Sequence, residues 1–362
     1  MYDEYVNREY KMAGDLGAAG ARSSRTAPAA PPRPATRSRR AGRGHIATQT
    51  VVVALGGNAI LQPGQVGTFE EQLVNVDQAM RRIARLVADG WRVVLTHGNG
   101  PQVGNILIQN DLAARMIPPM PMDVCGAETQ GQIGYMLQQS LHNHMVKLRL
   151  AVPVVTFLTE VVVDQRDPAF KTPSKPVGPF YAEDRARELA IEQGFVMRED
   201  AGRGWRRVVP SPQPVEIVQR EAIADSLRDG VLAVCNGGGG IPVVRHRDGT
   251  LHGVEAVIDK DLAAARLALD LQADVLLVLT DVANVFVEYG TPEQRPLRET
   301  SVAEMERYLA EGQFKAGSMG PKVEAALQVA RAGGRAVVAS LLDVHGAMRG
   351  AAGTAIVAGT RD

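Results

Sequence analysis

The stretch VVVALGGNAI, residues 51–60, decides the fold class. Its first five residues are apolar and mostly β-branched, and they run into Gly56-Gly57-Asn58. A short apolar run that stops at glycines is typical of a buried strand in a parallel sheet, because both faces of such a strand are covered. We therefore predict a strand over Val51–Leu55, followed by a loop whose backbone can approach a ligand closely.

The residues after this strand continue with a helix and a second strand. Thr68 and Glu71 fit a capping box, in which each side chain bonds the other residue's backbone N–H. Apolar residues then recur at helical spacing as far as Gly90, which suits the end of a helix. A strand over Trp91–Thr96 completes a βαβ unit. This unit predicts an α/β fold with an open, mainly parallel sheet sandwiched by helices.

The alternation of helix and strand recurs along the rest of the chain. Further helices are predicted over Glu128–Lys147, Val215–Asp229, Asp261–Leu271 and Pro321–Ala332. The strands that follow them are predicted over Val152–Phe157, Val231–Val234, Asp274–Leu279 and Arg335–Ala339.

A proline-rich stretch over about residues 164–214 interrupts this alternation. It contains the segments DPAFKTPSKPVGPFY and DAGRGWRRVVPSPQP. Prolines stiffen the connections of such a segment, and a long loop inside a domain is usually functional. We predict an inserted, partly β subdomain that protrudes as a lid, with an ornamental loop as the alternative.

The first 48 residues differ in composition from the rest. Their second half is rich in proline, alanine and arginine and has no periodic apolar face. We predict a disordered basic arm over 1–48 and a folded domain over 49–362. An anion-binding arm, a targeting peptide and an extension without function remain open, although acids such as Asp3 and Glu9 argue against a transit peptide.

The overall composition excludes several classes of protein. Among 362 residues, 40 are basic and 40 acidic, so the zero net charge excludes a strongly basic nucleic-acid-binding chain. No apolar run approaches the roughly 20 residues of a membrane span, so no membrane partner is expected. Cys125 and Cys235 are too few for a disulfide scaffold, and we expect a cytoplasmic protein.

Three glycine loops follow predicted strands. They are Gly56-Gly57-Asn58, Gly98-Asn99-Gly100 and the run Gly237–Gly240. Ligands of open α/β sheets bind beyond the carboxyl ends of the strands, where helix N-termini offer free N–H groups and a partial positive charge. The three loops therefore predict a site for a phosphate-bearing ligand.

Familiar nucleotide and metal motifs do not explain these loops. The sequence has no GxxxxGK[ST] motif, and the glycines of residues 98–104 lack the GxGxxG spacing. His142 and His144 would point to different faces of a helix, so we predict no metal site built from protein side chains. His97 can either contact a substrate or form structural hydrogen bonds, and both roles remain open.

Three lysines lie where an anion would be useful. Lys260 and Lys322 fall near predicted helix starts, where a positive charge opposes the helix dipole and an anionic ligand would offset the cost. Lys322 ends the loop GSMGPK, residues 317–322, and Lys175 lies in the proline-rich insertion. For each lysine taken alone, a solvated surface position is the alternative.

Together, ten stretches resemble the amino acid kinase family, and within it the carbamate kinases. They follow the family's order over nearly all of residues 51–361, and they read VVVALGGNAI, THGNGPQVGN, CGAETQGQIGY, VVVDQRDPAF, SKPVGPFY, GRGWRRVVPSPQP, GGGGIPVV, GVEAVIDKDLAA, VLLVLTDVANVFV and AGSMGPKVEAA. The TDV segment and the GSMGPK loop resemble the wider family, whereas SKPVGPFY and RRVVPSP are specific to the carbamate kinase branch. Glu128-Thr129 departs from the Met-Ser pair usual in the branch, and residues 1–48 have no family counterpart.

The resemblance implies an ATP:carbamate phosphotransferase, which transfers a phosphoryl group reversibly between ATP and carbamate and gives ADP and carbamoyl phosphate. It implies catalytic roles for Lys175, Lys260, Asp261 and Lys322, with Asp261 rather than Asp259 orienting the lysines. Contacts with the substrate and the transferred phosphoryl group are implied for Gly56, Gly57, Asn58, Gly98, Asn99 and Gly100. Contacts with the nucleotide are implied for Gly237, Gly238, Gly239, Thr280, Asp281, Val282, Gly317, Ser318 and Met319.

The resemblance also implies a cofactor, an assembly and a metabolic setting. Mg²⁺ would bridge the nucleotide phosphates with few protein ligands, because it keeps its waters. The chain would form a homodimer and take part in arginine metabolism. Two alternatives remain open: a sister kinase acting on another carboxylate or phosphate, such as acetylglutamate, and a non-enzymatic nucleotide sensor. The RRVVPSP segment disfavours the first, and the retained lysines disfavour the second.

Overall fold

The computed structural model describes residues 49–200, 202–315 and 317–359, so the arm predicted over 1–48 lies outside the described residues. The strands are β1 Thr50–Leu55, β2 Arg92–His97, β3 Val154–Thr156, β4 Glu160–Val162, β5 Lys175–Tyr181, β6 Met197–Glu199, β7 Trp205–Val209, β8 Glu216–Ile217, β9 Leu232–Val234, β10 Ile241–Arg245, β11 Leu251–Gly253, β12 Val275–Thr280, β13 Phe286–Val287, β14 Arg295–Pro296, β15 Glu299–Ser301, β16 Arg335–Ser340 and β17 Thr354–Val357. The α-helices are α1 Phe69–Ala88, α2 Gly100–Ala113, α3 Met122–Lys147, α4 Glu183–Glu192, α5 Arg220–Arg228, α6 Lys260–Asp270, α7 Val302–Ala310, α8 Met319–Arg331 and α9 Val344–Met348.

The central sheet has eight strands in the order β15-β17-β16-β12-β1-β2-β9-β3. Every neighbouring pair in it is parallel except β16 and β17, which run antiparallel. The predicted open and mainly parallel sheet is therefore confirmed. Strands β12, β1, β2 and β9 are adjacent and point the same way, so the loops after them meet at one edge of the sheet.

Two apolar layers cover the faces of this sheet, which is why β1 has a continuous apolar sequence. Val52 and Ala54 pack into the layer that contains α6 and α8. Val51, Val53 and Leu55 pack into the opposite layer, with α1, α3 and α9. Alternate residues of a strand point to opposite faces, so both sets are buried at once.

The predicted boundaries lie close to those of the structure at most elements and differ clearly at two. The capping box of Thr68 and Glu71 is present at the start of α1. Helix α3 begins at Met122, directly after Pro121, and not at Glu128 as predicted. The prediction of a helix from Val215 was wrong: Glu216–Ile217 forms strand β8 on β4, and α5 begins only at Arg220. Burial of the β-branched Ile217 in the core favours the strand there.

The predicted insertion leaves the domain between β4 and β8, which pair antiparallel at its base. It contains a three-stranded antiparallel sheet in the order β5-β7-β6, and helix α4, which the sequence did not predict. Where β5 and β7 meet the body, the buried apolar cluster consists of Met122, Val177 and Val209. Leu107 and Val257 of the body pack against this cluster, and Phe170 of the insertion packs against the main core, so the apolar contact between the insertion and the body is modest.

Candidate functional site

Four loops converge at the edge formed by the carboxyl ends of β12, β1, β2 and β9. A short 3₁₀ helix over Gly57–Ala59 follows β1, and α2 begins at Gly100 directly after the loop that follows β2. A second 3₁₀ helix, Gly237–Gly239, lies after β9. The predicted glycine loops are therefore brought together at one end of the sheet.

Close backbone contacts explain two of the glycines. A Cβ atom on Gly56 would lie 2.9 Å from the carbonyl oxygen of Leu279, at the end of the neighbouring strand. Gly238 has a φ of +66°, and a Cβ there would collide with the side-chain amide of Asn99. Both positions need glycine because the loops lie against each other.

Asp261 holds the two helix-start lysines together. Lys260 Nζ lies 2.8 Å from Asp261 Oδ1, and Lys322 Nζ lies 2.8 Å from Asp261 Oδ2. The Asp261 side chain is only 4% exposed. One carboxylate thus places two ammonium groups, carried by α6 and α8, side by side.

The charges in this cluster affect one another. Burial would raise the pKa of Asp261, but the charges and hydrogen bonds of Lys260 and Lys322 outweigh burial and hold that pKa below its ordinary value. Burial lowers the pKa of Lys260 in spite of the opposing charge of Asp261, and the charge of Lys322 lowers it further. An anionic ligand beside the two ammonium groups would stabilise their charged forms.

Lys175, the lysine of the insertion, has a different partner. It lies at the start of β5, and its Nζ is 2.9 Å from Asp259 Oδ2. Asp259 also caps α6, because its Oδ1 accepts the backbone N–H of Asp261 at 2.9 Å. The cap therefore connects the insertion to the helix that carries Lys260 and Asp261.

A cavity of about 600 Å³ lies between the insertion and the sheet edge; we call it the insertion cavity. The predicted site residues that line it are Gly57, Gly98, Asn99, Gly100, Lys175, Gly238, Lys260, Asp261, Gly317, Ser318 and Lys322. Asp259 and Arg206 line it too. The insertion cavity therefore brings together all four residues to which a catalytic role was assigned.

A second cavity of about 550 Å³, the strand-end cavity, adjoins the first. Gly57, Lys260, Gly317, Ser318 and Lys322 line both cavities. The other predicted site residues that line the strand-end cavity are Gly56, Asn58, Thr280 and Asp281. Because the two adjoining cavities share Lys260 and Lys322, each cavity can hold one of two reacting molecules, with the two lysines between them.

Four predicted nucleotide contacts line neither cavity. Gly237 and Gly239 are buried, and Gly237 packs against the His97 ring. Val282 and Met319 are half-buried, and in sequence they directly follow Asp281 and Ser318, which line the strand-end cavity. Gly238 lines the insertion cavity beside Asn99 and does not line the strand-end cavity with Thr280 and Asp281.

Of the two roles left open for His97, the structure favours the structural one. The side chain is buried, and Nδ1 donates a hydrogen bond to the Gly98 carbonyl at 2.9 Å. Burial, against the effect of that hydrogen bond, lowers the pKa of His97 to about 4, with a further lowering from the charge of Lys260. The buried imidazole is therefore neutral near pH 7. It supports the loops through its hydrogen bond and offers no positive charge that could attract an anionic ligand.

Arg206 and Asp259 are site residues that sequence reasoning missed. Arg206 donates to the Gly178 carbonyl at 3.1 Å, and its guanidinium carbon lies 5.0 Å from the centre of the Phe180 ring. Its Nε is buried without a hydrogen-bond partner. The signal for Asp259 was its place just ahead of the helix predicted from Asp261, where capping residues occur; the helix in fact begins at Lys260, directly after Asp259.

The described side chains that could bind a metal ion are scattered or already paired. Within the described ranges, no group of three or more His, Cys, Asp or Glu side chains is arranged to hold a metal ion. Both oxygens of Asp261 are bound by lysines. His144 is buried and bonds Asp77 Oδ1 at 2.9 Å, while His142 is exposed.

Among the described helices, none is both long and apolar enough to cross a membrane.

The glycine loops and the lysine–aspartate cluster suit a ligand that carries phosphate, and comparison with known proteins identifies a kinase family. The sequence profile of the amino acid kinase family matches residues 49–340, and the chain belongs to this family. Carbamate kinases of Pyrococcus horikoshii and Thermococcus kodakarensis are 50% and 52% identical to it over 311 residues, which is 85% of this chain and 99% and 98% of theirs. The structure of carbamate kinase from Giardia lamblia bound to AMP-PNP superposes with a TM-score of 0.82 at 46% identity, covering 86% of this chain and 99% of that one.

Proposed function

We propose that this chain is a carbamate kinase, an ATP:carbamate phosphotransferase that transfers a phosphoryl group reversibly between ATP and carbamate. The products of the forward reaction are ADP and carbamoyl phosphate. The observation that carries the proposal is the shared carboxylate of Asp261, which places the ammonium groups of Lys260 and Lys322 at the junction of two glycine-lined cavities. Relatives at about half identity over almost their whole length are carbamate kinases, which supports it.

The chemistry requires positive charge more than a general base. Carbamate is already an anionic oxygen nucleophile at neutral pH, so no proton has to be removed from it. The barrier comes from bringing that anion to a charged phosphoryl group, and catalysis of such transfers is mostly positioning and charge neutralisation. A neutral buried His97 is consistent with a site that has no histidine base.

Each part of the site has a role in this proposal. Lys260 and Lys322 neutralise the β- and γ-phosphates where the two cavities meet, and Asp261 orients both lysines. Lys175 reaches the transferred phosphoryl group from the insertion. Main-chain N–H groups of Gly56, Gly57 and Asn58 hold that group, and Gly98, Asn99 and Gly100 face the carbamate.

The nucleotide is assigned to the strand-end cavity. Thr280 and Asp281 line this cavity together with Gly317 and Ser318. The Giardia relative binds AMP-PNP, an ATP analogue, which supports a nucleotide site. We propose in addition that Val282 and Met319 contribute backbone to the walls of the nucleotide site. The contacts predicted for Gly237–Gly239 do not fit this assignment, because Gly238 lines the insertion cavity and the other two are buried.

Mg²⁺ is proposed to enter with the nucleotide, so that MgATP and MgADP are the substrates. It would supply charge neutralisation between the phosphates. Asp281 is the acidic side chain that lines the strand-end cavity, so its carboxylate and water molecules would hold the ion. We also propose a cytoplasmic homodimer that works in arginine metabolism.

The decisive measurement is ATP formation from carbamoyl phosphate and MgADP by the purified chain. We expect turnover that depends on both substrates and stops when the metal is chelated. A panel with acetyl phosphate and acetylglutamyl phosphate distinguishes a sister kinase, since preference for one of these would contradict the proposal. Binding of ADP without turnover of any acyl phosphate would instead indicate a nucleotide sensor.

A further inference from the structure

The carboxylate of Asp259 has two separate partners, one on each oxygen. Oδ1 accepts the backbone N–H of Asp261 and caps α6, while Oδ2 accepts the ammonium of Lys175 from 84 residues away in the chain. The Asp259 side chain is 13% exposed, and that of Lys175 is 34% exposed. The contact therefore lies at the wall of the insertion cavity, which both residues line.

The cap needs only one of these oxygens. Asparagine caps helices about as well as aspartate, because a single side-chain oxygen accepts the free N–H groups of the first turn. The negative charge and the second oxygen serve the contact with Lys175. The charge also favours the N-terminus of α6, but neither the cap nor that effect uses the second oxygen.

A charge at this position has two opposite effects on an anionic substrate. It holds the Lys175 ammonium at the cavity, so that the side chain loses less freedom when it docks on a phosphoryl group. It also repels the phosphoryl group, since like charges a few Å apart in a partly buried site interact unfavourably. The carboxylate thus favours the geometry of transfer and disfavours the binding of phosphate.

We propose that Asp259 is a positioning residue for phosphoryl transfer: it keeps the Lys175 ammonium at the insertion cavity, which raises kcat, and it weakens the binding of anionic phosphate substrates. This inference rests on the proposed function. The rest of the cluster agrees with it, because Lys260 and Lys322 already have Asp261 as their partner. Asp259 is the carboxylate that pairs with Lys175.

The test uses D259N, which keeps the capping oxygen and removes the charge, with D259A as the variant that loses both. In the formation of ATP from carbamoyl phosphate and MgADP, D259N should lower kcat by about ten- to a hundred-fold and also lower the KM for carbamoyl phosphate. The Tm of D259N should stay close to that of the full wild-type chain, whereas D259A should melt earlier. In the K175A background, adding D259N should cause no further loss of kcat.

Several results would overturn this inference. Asp259 would be only a helix cap if D259N kept the wild-type kcat or had a raised KM for carbamoyl phosphate. The same would follow if D259N lowered kcat as much in the K175A background as in the wild-type background. Hydrogen exchange of residues 175–181, measured without any ligand, gives a readout that does not depend on turnover. Exchange there should be faster in D259N than in wild type. Equal exchange rates would show that the contact between Lys175 and Asp259 does not hold β5 in place. A wild-type chain that forms no ATP contradicts the proposed function, while the exchange comparison still tests the contact.

Discussion

Lys322 Nζ lies 2.8 Å from Asp261 Oδ2, although the two residues are 61 positions apart in the chain. Both belong to the first turns of their helices, α8 and α6. An ammonium group is unfavourable at a helix N-terminus, and a carboxylate is favourable there. Asp261 therefore stabilises both helix ends and makes it possible to keep Lys322 at the cavity before any anion binds.

Removal of either lysine that pairs with Asp261 should strongly reduce catalysis. We expect Lys260→Ala and Lys322→Ala each to lower kcat by roughly two to four powers of ten, as for the loss of a charge contact made in the transition state. Steady-state formation of ATP from carbamoyl phosphate and MgADP measures this. Lys147→Ala, which changes an exposed lysine at the end of α3, is the control and should keep wild-type kcat. A lysine whose alanine variant also keeps wild-type kcat has no part in the mechanism.

Neutralising Asp261 should destabilise the fold as well as the site. Asp261→Asn leaves Lys260 and Lys322 side by side without their shared counter-charge, and breaking a buried pair in this way costs about 3–5 kcal/mol. Urea unfolding of the ligand-free chain should report a loss of that order. Asp184→Asn, at an exposed position in the first turn of α4, should change the free energy of unfolding little. Equal stability of the two variants would mean that the lysines do not depend on Asp261.

His97 should make stability depend on pH between about 4 and 6.5. Its pKa is about 4 in the folded chain, against an ordinary value of 6.5, so the unfolded chain binds more protons in this window. The free energy of unfolding should therefore fall as the pH is lowered from 6.5 towards 4, by at most about 3 kcal/mol from this group. His97→Asn keeps a donor near Nδ1 but cannot take up the proton. Urea midpoints measured from pH 4.5 to 7 should show a shallower slope for the variant, and parallel slopes would contradict the assignment.

The sequence predicted those parts of the site that are local along the chain. Apolar runs ending in glycine gave the strands and loops of the sheet edge, and the positions of Lys260 and Lys322 near helix starts indicated anion contacts. The partner of Lys175 could not be predicted, because it depends on how the insertion folds back over the cavity.

Arg206 was missed for a related reason. Arg206 and Arg207 are consecutive on β7 and point to opposite faces, so the register of that strand decides which of them reaches the cavity. In the structure Arg206 lines the insertion cavity, and Arg207 pairs with Glu255. Helix α2 was missed because Gly100 and Gly104 lower its helix propensity.

Deletion of residues 1–48 should leave the enzyme nearly unchanged. The composition of this arm offers no apolar face that could pack on the domain. We expect kcat and Tm of the truncated chain to match those of the full chain in parallel assays and thermal melts. A Tm lowered by several degrees, or a loss of turnover, would indicate that the arm packs on residues 49–362 or on the site.

Lys175 should act as the catalytic tip of a lid. The insertion that carries it meets the body through the small apolar cluster of Met122, Val177 and Val209 and through ion pairs at its edge, so it should open more easily than the core of the domain. Closure would bring the ammonium to the phosphoryl group and exclude water, which competes as an acceptor. Hydrogen exchange over residues 164–214 should therefore slow when ADP and a carbamate mimic are both bound.

Replacement of this lysine should separate catalysis from nucleotide binding. Lys175→Ala should lower kcat by about a hundred-fold or more and change the Kd of MgADP little, because Thr280 and Asp281 line the strand-end cavity, which Lys175 does not line. Lys171→Ala is the matched control, since Lys171 is exposed on the same insertion and lines neither cavity. Initial rates and calorimetric titration of MgADP give the two quantities separately. If Lys175→Ala is fully active and hydrogen exchange in the insertion does not change when ligands bind, the insertion has no catalytic role. If the Kd of MgADP rises as much as kcat falls, Lys175 binds the nucleotide.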